Sequence, residues 1–305
     1  MALREYLVGE VAEDFSDGLL TRREALRRLG LLGLGAGAAS ALLAACAPTA
    51  PSPPAAPAAP APPEPPSSAA PPGVAPGTRR GEEVRFAGPA GELIAAWAAP
   101  TSGAPKAAVL VLHENRGLTD HFFDLVGRLA NSGYGALCVD LLSAKGGTAA
   151  LTDPAQAPTA LADAPVDALV ANLRAGIDEL GRRVPGGKVG AVGFCFGGGL
   201  TWQLLQAGEA RLAAAVPFYG PAPERPDFHR AKAAVLAVYA GLDARVNATR
   251  DRAESALKAA GLTYRVRTFD GADHAFFNDT GARYNAGAAQ RAYAELLDWY
   301  RRYLG

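Results

Sequence analysis

Gly193-Phe194-Cys195-Phe196-Gly197 places a cysteine between two glycines in the G-x-nucleophile-x-G spacing of a nucleophile elbow, with sulfur where a serine hydroxyl is more usual. The chemistry on offer is attack of a thiolate on an acyl carbon. An apolar run, Lys188 to Val192, leads into the motif and a helical pattern, Gly198 to Gln206, leads out of it. Cys195 is therefore predicted at a sharp strand-to-helix turn, exposed above a sheet. Its sulfur would sit beside a helix N-terminus, whose unpaired N–H groups favour the thiolate. Gly-rich turns also occur in nucleotide sites and as tight packing. The nucleotide version wants G-x-G-x-x-G and an acid near the end of the next strand, which Gly193, Cys195 and Gly198 do not supply.

A thiol nucleophile needs a base and a group that orients the base, and both follow in order. The apolar run Val235 to Tyr239 is succeeded by Ala240-Gly241-Leu242-Asp243, which puts a carboxylate just past a strand end. Tyr264 to Phe269 reads as another strand, followed by the loop Gly271-Ala272-Asp273-His274-Ala275-Phe276. In the order Cys195, Asp243, His274, the histidine takes the thiol proton and the aspartate fixes its tautomer and steadies its charge. The chain has only four histidines, at 113, 121, 229 and 274, so the base has few candidates. Taken singly, Asp243 also reads as a cap for a helix starting near Asn247, and His274 as a solvated loop residue.

Four segments together resemble the dienelactone hydrolase family of α/β-hydrolases: Leu112-His113-Glu114-Asn115-Arg116-Gly117, Gly193 to Gly198, Tyr239 to Asp243, and His274-Ala275-Phe276. The likeness runs from about Gly81 to the C-terminus. It implies an α/β-hydrolase fold with nucleophile Cys195, acid Asp243 and base His274, and a glutamate, Glu114, that contacts the resting thiol and helps to activate it. The oxyanion would be met by the backbone N–H groups of Phe196, after the nucleophile, and Asn115, after an early strand. Without the resemblance, His113-Glu114 reads as a polar pair ending a strand.

The resemblance also marks a departure. Family members that act on dienelactone hold its carboxylate with two arginines, one shortly after the histidine and one before the nucleophile strand. Here Phe277, Asn278 and Asp279 occupy the first place, and Lys145 is the only cation between Ala144 and Val170. A buried carboxylate without partners is costly. The expected substrate is thus a small ester, lactone or thioester that need not carry that group. The alternative is a binding or scaffold lipoprotein in which the fold has lost turnover.

The front of the chain speaks to location. Thr21-Arg22-Arg23-Glu24-Ala25-Leu26-Arg27-Arg28 precedes an apolar, Gly- and Ala-rich run from Leu29 to Ala45, which resembles a twin-arginine export signal with a long polar lead. Leu43-Ala44-Ala45-Cys46 looks like a lipobox, so residues 1–45 are expected to be removed. Cys46 would carry the lipid that anchors the protein on the outer side of the cytoplasmic membrane. A basic helix end before a membrane span is the competing reading, with a run at the short edge of the roughly 17–25 residues a span needs. Residues 46–78, rich in proline and alanine, read as a disordered, stiffened tether reaching on the order of 90 Å. Residues 79–305 are long enough for one catalytic domain.

Equal numbers of basic and acidic residues argue against nucleic acid or an electrostatic membrane footprint. No His, Cys or carboxylate spacing suggests a metal site, and no cofactor is expected. Strands are predicted near 84–87, 92–98, 107–112, 135–139, 188–192, 212–218, 234–239 and 263–269, and helices near 119–132, 165–183, 198–208, 247–260 and 285–303. That alternation calls for a mostly parallel, doubly wound sheet with its site outside the strand carboxyl ends. The Gly- and Ala-rich stretch 141–165 would belong to the pocket rim. In the expected strand order the Cys138 and Cys195 strands flank the 107–112 strand. They then lie about 9–10 Å apart, too far for a disulfide, and Cys138 is a small core residue.

Overall fold

The basic stretch after Thr21 is helical. In the computed structural model, which describes residues 3–46, 70–75 and 77–305, α1 (Leu3–Ser16), α2 (Arg22–Leu31) and α3 (Ala36–Ala45) pack on one another. They lie in the first of two compact units, residues 1–68 and 69–305. Thr21 Oγ1 accepts the Glu24 N–H at 3.2 Å and so caps α2. Glu24 takes hydrogen bonds from Arg27 and Arg28, which pull its carboxyl down to about 2. The apolar run is broken between α2 and α3, where Gly33 turns with φ 86°. Cys46 ends α3 as its C-cap. No helix of the described residues is long and apolar enough to cross a membrane. Most of the predicted tether lies outside the described residues; of those described, Ala70 accepts a hydrogen bond from Gln290 at 2.9 Å through its carbonyl.

The second unit is built on eight strands: β1 (Glu82–Gly88), β2 (Gly91–Ala98), β3 (Ala108–Leu112), β4 (Gly135–Val139), β5 (Val189–Phe194), β6 (Leu212–Phe218), β7 (Ala234–Ala240) and β8 (Tyr264–Phe269). Their order is β1-β2-β4-β3-β5-β6-β7-β8. The first two form a hairpin, β2 runs antiparallel to β4, and every later pairing is parallel. Strands β3, β4, β5 and β7 are buried at every residue, which explains their unbroken apolar sequences. At the far edge, β8 is largely open to solvent and carries Arg265 and Arg267.

Among its described residues the unit adds seven α-helices, α4 (Asp120–Asn131), α5 (Ala157–Asp163), α6 (Val166–Arg183), α7 (Phe196–Gln206), α8 (Ala244–Asn247), α9 (Arg250–Ala259) and α10 (Ala286–Tyr303), and three short 3-10 turns between residues 143 and 156. Periodicity announces the five longer ones and misses α5 and α8, whose few residues give it nothing to measure. This is the mostly parallel, doubly wound sheet that the alternation predicts. The chain winds from β3 to β4 on one side and continues from β5 on the other, so the sheet switches direction between β3 and β5. In such a sheet the crevice at the carboxyl ends of those two strands is where ligands bind.

The predicted flanking of β3 by the Cys138 and Cys195 strands holds: β3 pairs with both β4 and β5, and both cysteines are free. Cys138 is fully buried, and burial pushes its thiol well above the ordinary range.

Candidate active site

Leu112 of β3 pairs with Gly193 of β5, so Glu114 and Cys195, each two residues further on, leave the switch point level with one another. Cys195 has φ 55° and ψ −115° and is the N-cap of α7. That left-handed turn explains the glycines. A β-carbon on Gly193 would strike the Gly197 carbonyl, one on Gly197 would strike the Leu112 carbonyl, and one on Gly198 would strike the Phe218 carbonyl. Thr201 Oγ1 hydrogen bonds back to the Gly197 carbonyl at 2.9 Å, and the Cys195 N–H donates to the Phe218 carbonyl at 3.0 Å. Phe196 is the first residue of α7, so its N–H belongs to the helix's orphan donors. Asn115 lies half-buried in the loop after β3.

The sequence-predicted acid and base meet. His274 Nδ1–H donates to Asp243 Oδ2 at 2.5 Å, with both side chains buried. This bond fixes the imidazole with Nε2 on the opposite edge of the ring. Asp243 Oδ1 accepts the Val246 N–H at 2.9 Å and caps α8. One oxygen thus caps a helix, as the capping reading expects, and the other contacts the imidazole. Cys195 Sγ and a ring nitrogen of His274 lie within 4.8 Å of one another. Cys195 has the His274 ring and the Tyr219 phenol beside it.

Glu114 is held at both oxygens. Asn278 Nδ2 donates to Oε2 at 2.8 Å and the Tyr219 hydroxyl donates to Oε1 at a long 3.4 Å. The amide orientation of Asn278 follows from its other end, where Oδ1 accepts the Thr280 N–H at 3.0 Å and the Thr280 hydroxyl at 2.7 Å. His113 is structural: Nε2 accepts the Leu141 N–H at 3.1 Å, and Nδ1 then donates to the Glu114 carbonyl at 2.7 Å. Burial lowers its pKa against the pull of Asp140, which suits a neutral ring.

Sequence reasoning missed Tyr219, Asp140 and the role of Asn278. Tyr219 follows β6 with φ 34°, packs edge-on against His274 at 5.2 Å between ring centroids, and is fully buried. Burial raises its phenol well above the ordinary range, and the nearby Glu114 and Cys195 add to the effect, so it acts as a donor. Asp140, just past β4, accepts from the N–H groups of Leu142 and Thr148 and from the Thr148 hydroxyl. Thr148 Oγ1 in turn accepts the Leu118 N–H at 2.8 Å. The start of the 141–165 stretch is thus tied to the loop that carries Glu114. Among the described residues the non-glycine residues with left-handed φ are Cys195, Tyr219 and Ala275. All three stand at this site. Such conformations cost on the order of 1–3 kcal/mol each and persist where the surroundings over-determine them.

Residues 94–304 match the family model "Dienelactone hydrolase family". The chain belongs to this family. A relative from Methylorubrum extorquens AM1, named "putative carboxymethylenebutenolidase", is 33% identical over 225 residues, covering 68% of this chain and 75% of the relative. Among solved family structures, one described as a "putative dienelactone hydrolase" from Klebsiella pneumoniae superposes with a TM-score of 0.66 at 27% identity, covering 73% of this chain and 98% of that one. The dienelactone hydrolase-like promiscuous phosphotriesterase P91, from metagenomic libraries, gives a TM-score of 0.57 at 25% identity, with 73% and 98% covered. The sheet and its flanking helices have the α/β-hydrolase-like fold of these family members, and the family makes the chain a hydrolase.

Proposed function

We propose that this family member is a cysteine-dependent hydrolase of a small ester, lactone or thioester, working through Cys195, His274 and Asp243. The observation that carries the reading is the chain of contacts from Asp243 to His274 at 2.5 Å and from the imidazole to within 4.8 Å of the Cys195 sulfur. In this reading His274 Nε2 takes the thiol proton, and the thiolate forms a C–S bond to the acyl carbon. The carbonyl oxygen becomes an oxyanion facing the N–H groups of Phe196 and Asn115. Collapse expels the leaving group, which receives the proton from His274 and leaves a thioacyl-enzyme. His274 then deprotonates a water that attacks the thioester and returns the sulfur. Glu114 steadies the thiol in the resting enzyme.

Relatives named for carboxymethylenebutenolidase support a lactone or ester as the substrate class. Asn278 and Asp279, which stand after His274 in place of an arginine, engage other residues of the chain and supply no cation for a substrate carboxylate. The preferred acyl group is therefore uncharged.

The signal-like segment and Cys46 support export and lipid anchoring, with residues 46–78 as tether between anchor and enzyme.

Turnover of aryl esters, lost in both Cys195→Ala and His274→Ala, is the expected result. A single burst without turnover would replace this reading by the binding or scaffold alternative, and far faster hydrolysis of dienelactone than of aryl esters would overturn the uncharged acyl group. Labelled fatty acyl groups should enter the wild-type chain and not Cys46→Ser; label in the variant would overturn the anchor.

A further inference from the structure

The loop from Asp273 to Thr280 carries more than His274. It turns twice within itself, through Phe276 N–H to the Asp273 carbonyl at 3.1 Å and Asn278 N–H to the Ala275 carbonyl at 3.0 Å, with Ala275 at φ 60°. One end holds the imidazole against Asp243, and the other presents Asn278 to Glu114. The next residue, Asp279, reaches the opposite way, into α4. Its Oδ1 accepts from His121 Nδ1 at 2.7 Å and its Oδ2 from Arg128 Nη2 at 2.6 Å. His121 and Arg128 are only 1% and 3% exposed. Among the described residues Asp279 is the acid paired with Arg128. A buried guanidinium holds its carboxylate partner firmly, because separating them strands a charge away from water.

We propose that Asp279 is a positioning residue for the site: clamped between His121 and Arg128 of α4, it fixes the loop so that Asn278 meets Glu114 and His274 meets Asp243 in one register. This rests on the hydrolase reading above and adds the part that sets its geometry. Helix α4 directly follows the loop that bears Glu114, so the clamp joins both strand-end loops to one rigid element. Asp279 touches no reacting atom. It acts through Asn278, one residue away, and through the Ala275 turn.

The test combines a double-mutant cycle with a spectroscopic readout on the full chain. In Asp279→Asn, kcat should fall about tenfold or more with KM within about threefold, since small misplacements of catalytic groups act on the chemical step. Asn278→Ala should do the same, and the double variant should fall no more than about threefold below Asn278→Ala, because both act along one path. The His274 Nδ1–H resonance, assigned by its loss in Asp243→Asn, should exchange with solvent about tenfold faster in Asp279→Asn than in the wild type. Losses that multiply, or a folded Asp279→Asn with wild-type kcat and exchange, would overturn the clamp. Should Asp279→Asn fail to fold, His121→Phe takes its place, removing one donor while keeping the ring contacts to Phe122 and Phe277. A threefold or larger fall in kcat with faster exchange supports the clamp, and wild-type values overturn it. Absence of ester turnover in the wild type sinks the hydrolase reading alone, and the exchange comparison still decides on Asp279.

Discussion

Asp243 gives one oxygen to His274 at 2.5 Å and the other to the Val246 N–H at 2.9 Å, so the residue proposed to orient the base also starts a helix. The two duties separate by mutation. Asp243→Asn keeps an oxygen for the cap, and Asn caps helices as well as Asp does, but its amide cannot stabilise an imidazolium. Its kcat should fall roughly 10³–10⁴-fold with unfolding free energy within about 1 kcal/mol of wild type. Asp243→Ala should lose the same activity and about 1 kcal/mol more stability. Urea titration beside ester kinetics checks both, and equal stability of the two variants would remove the capping duty.

The elbow glycines make a steric prediction. Gly193→Ala and Gly198→Ala each place a methyl group against a backbone carbonyl, which cannot rotate away, so each should destabilise by at least about 2 kcal/mol. Gly199 lies one residue further along α7, where a β-carbon would meet Pro221 at an ordinary 3.5 Å. Gly199→Ala should be neutral or stabilising by up to about 1 kcal/mol, because alanine is the better helix former. Melting temperatures of the three variants decide the matter.

Legibility in the sequence follows physical lines. Strands β3 to β7 were readable because burial on both faces demands unbroken apolar runs, and Cys195 and Asp243 because each stands just beyond such a run; His274 follows the edge strand β8, whose sequence alternates. Tyr219 gave no signal, since an aromatic after an apolar strand looks like core until its left-handed backbone and its bond to Glu114 are seen. The bond from Asn278 to Glu114 joins residues 164 positions apart and has no periodicity to betray it. Asp279 showed in the sequence only as the absence of an arginine, because its partners lie on α4, on the other side of five strands of sequence.

His113 predicts a pH dependence near neutrality. Burial lowers its pKa in the folded protein, so the unfolded chain takes up the proton first. The stability linked to a neutral His113 is complete above the ordinary histidine value of 6.5 and is lost as pH falls below it. Between pH 7.5 and 5.5 the wild type should lose more stability than His113→Gln, whose amide oxygen can still accept the Leu141 N–H. Chemical denaturation at the two pH values measures this, and parallel losses in both proteins would contradict it.

Asp279 governs the acid limb. Burial alone would raise its carboxyl, but the hydrogen bond from His121 and the charge of Arg128 outweigh it and hold the group at about 2, below its ordinary 3.8. A depressed carboxyl stabilises the fold above the unfolded value and loses that contribution as pH drops from about 4 to about 2. The amount at stake is about 2 kcal/mol. At pH 6 Asp279→Asn leaves Arg128 buried beside a neutral amide and should be destabilised by about 3–5 kcal/mol. By pH 2.5 the unfolded chain has taken up the proton while the folded carboxyl is still mostly ionised, so most of the linked stability is gone and the gap between the two proteins should narrow by about 1.5 kcal/mol. Unfolding free energies of both proteins across that range test the sign: a gap that stays constant would mean that Asp279 is bound to α4 by shape and not by charge.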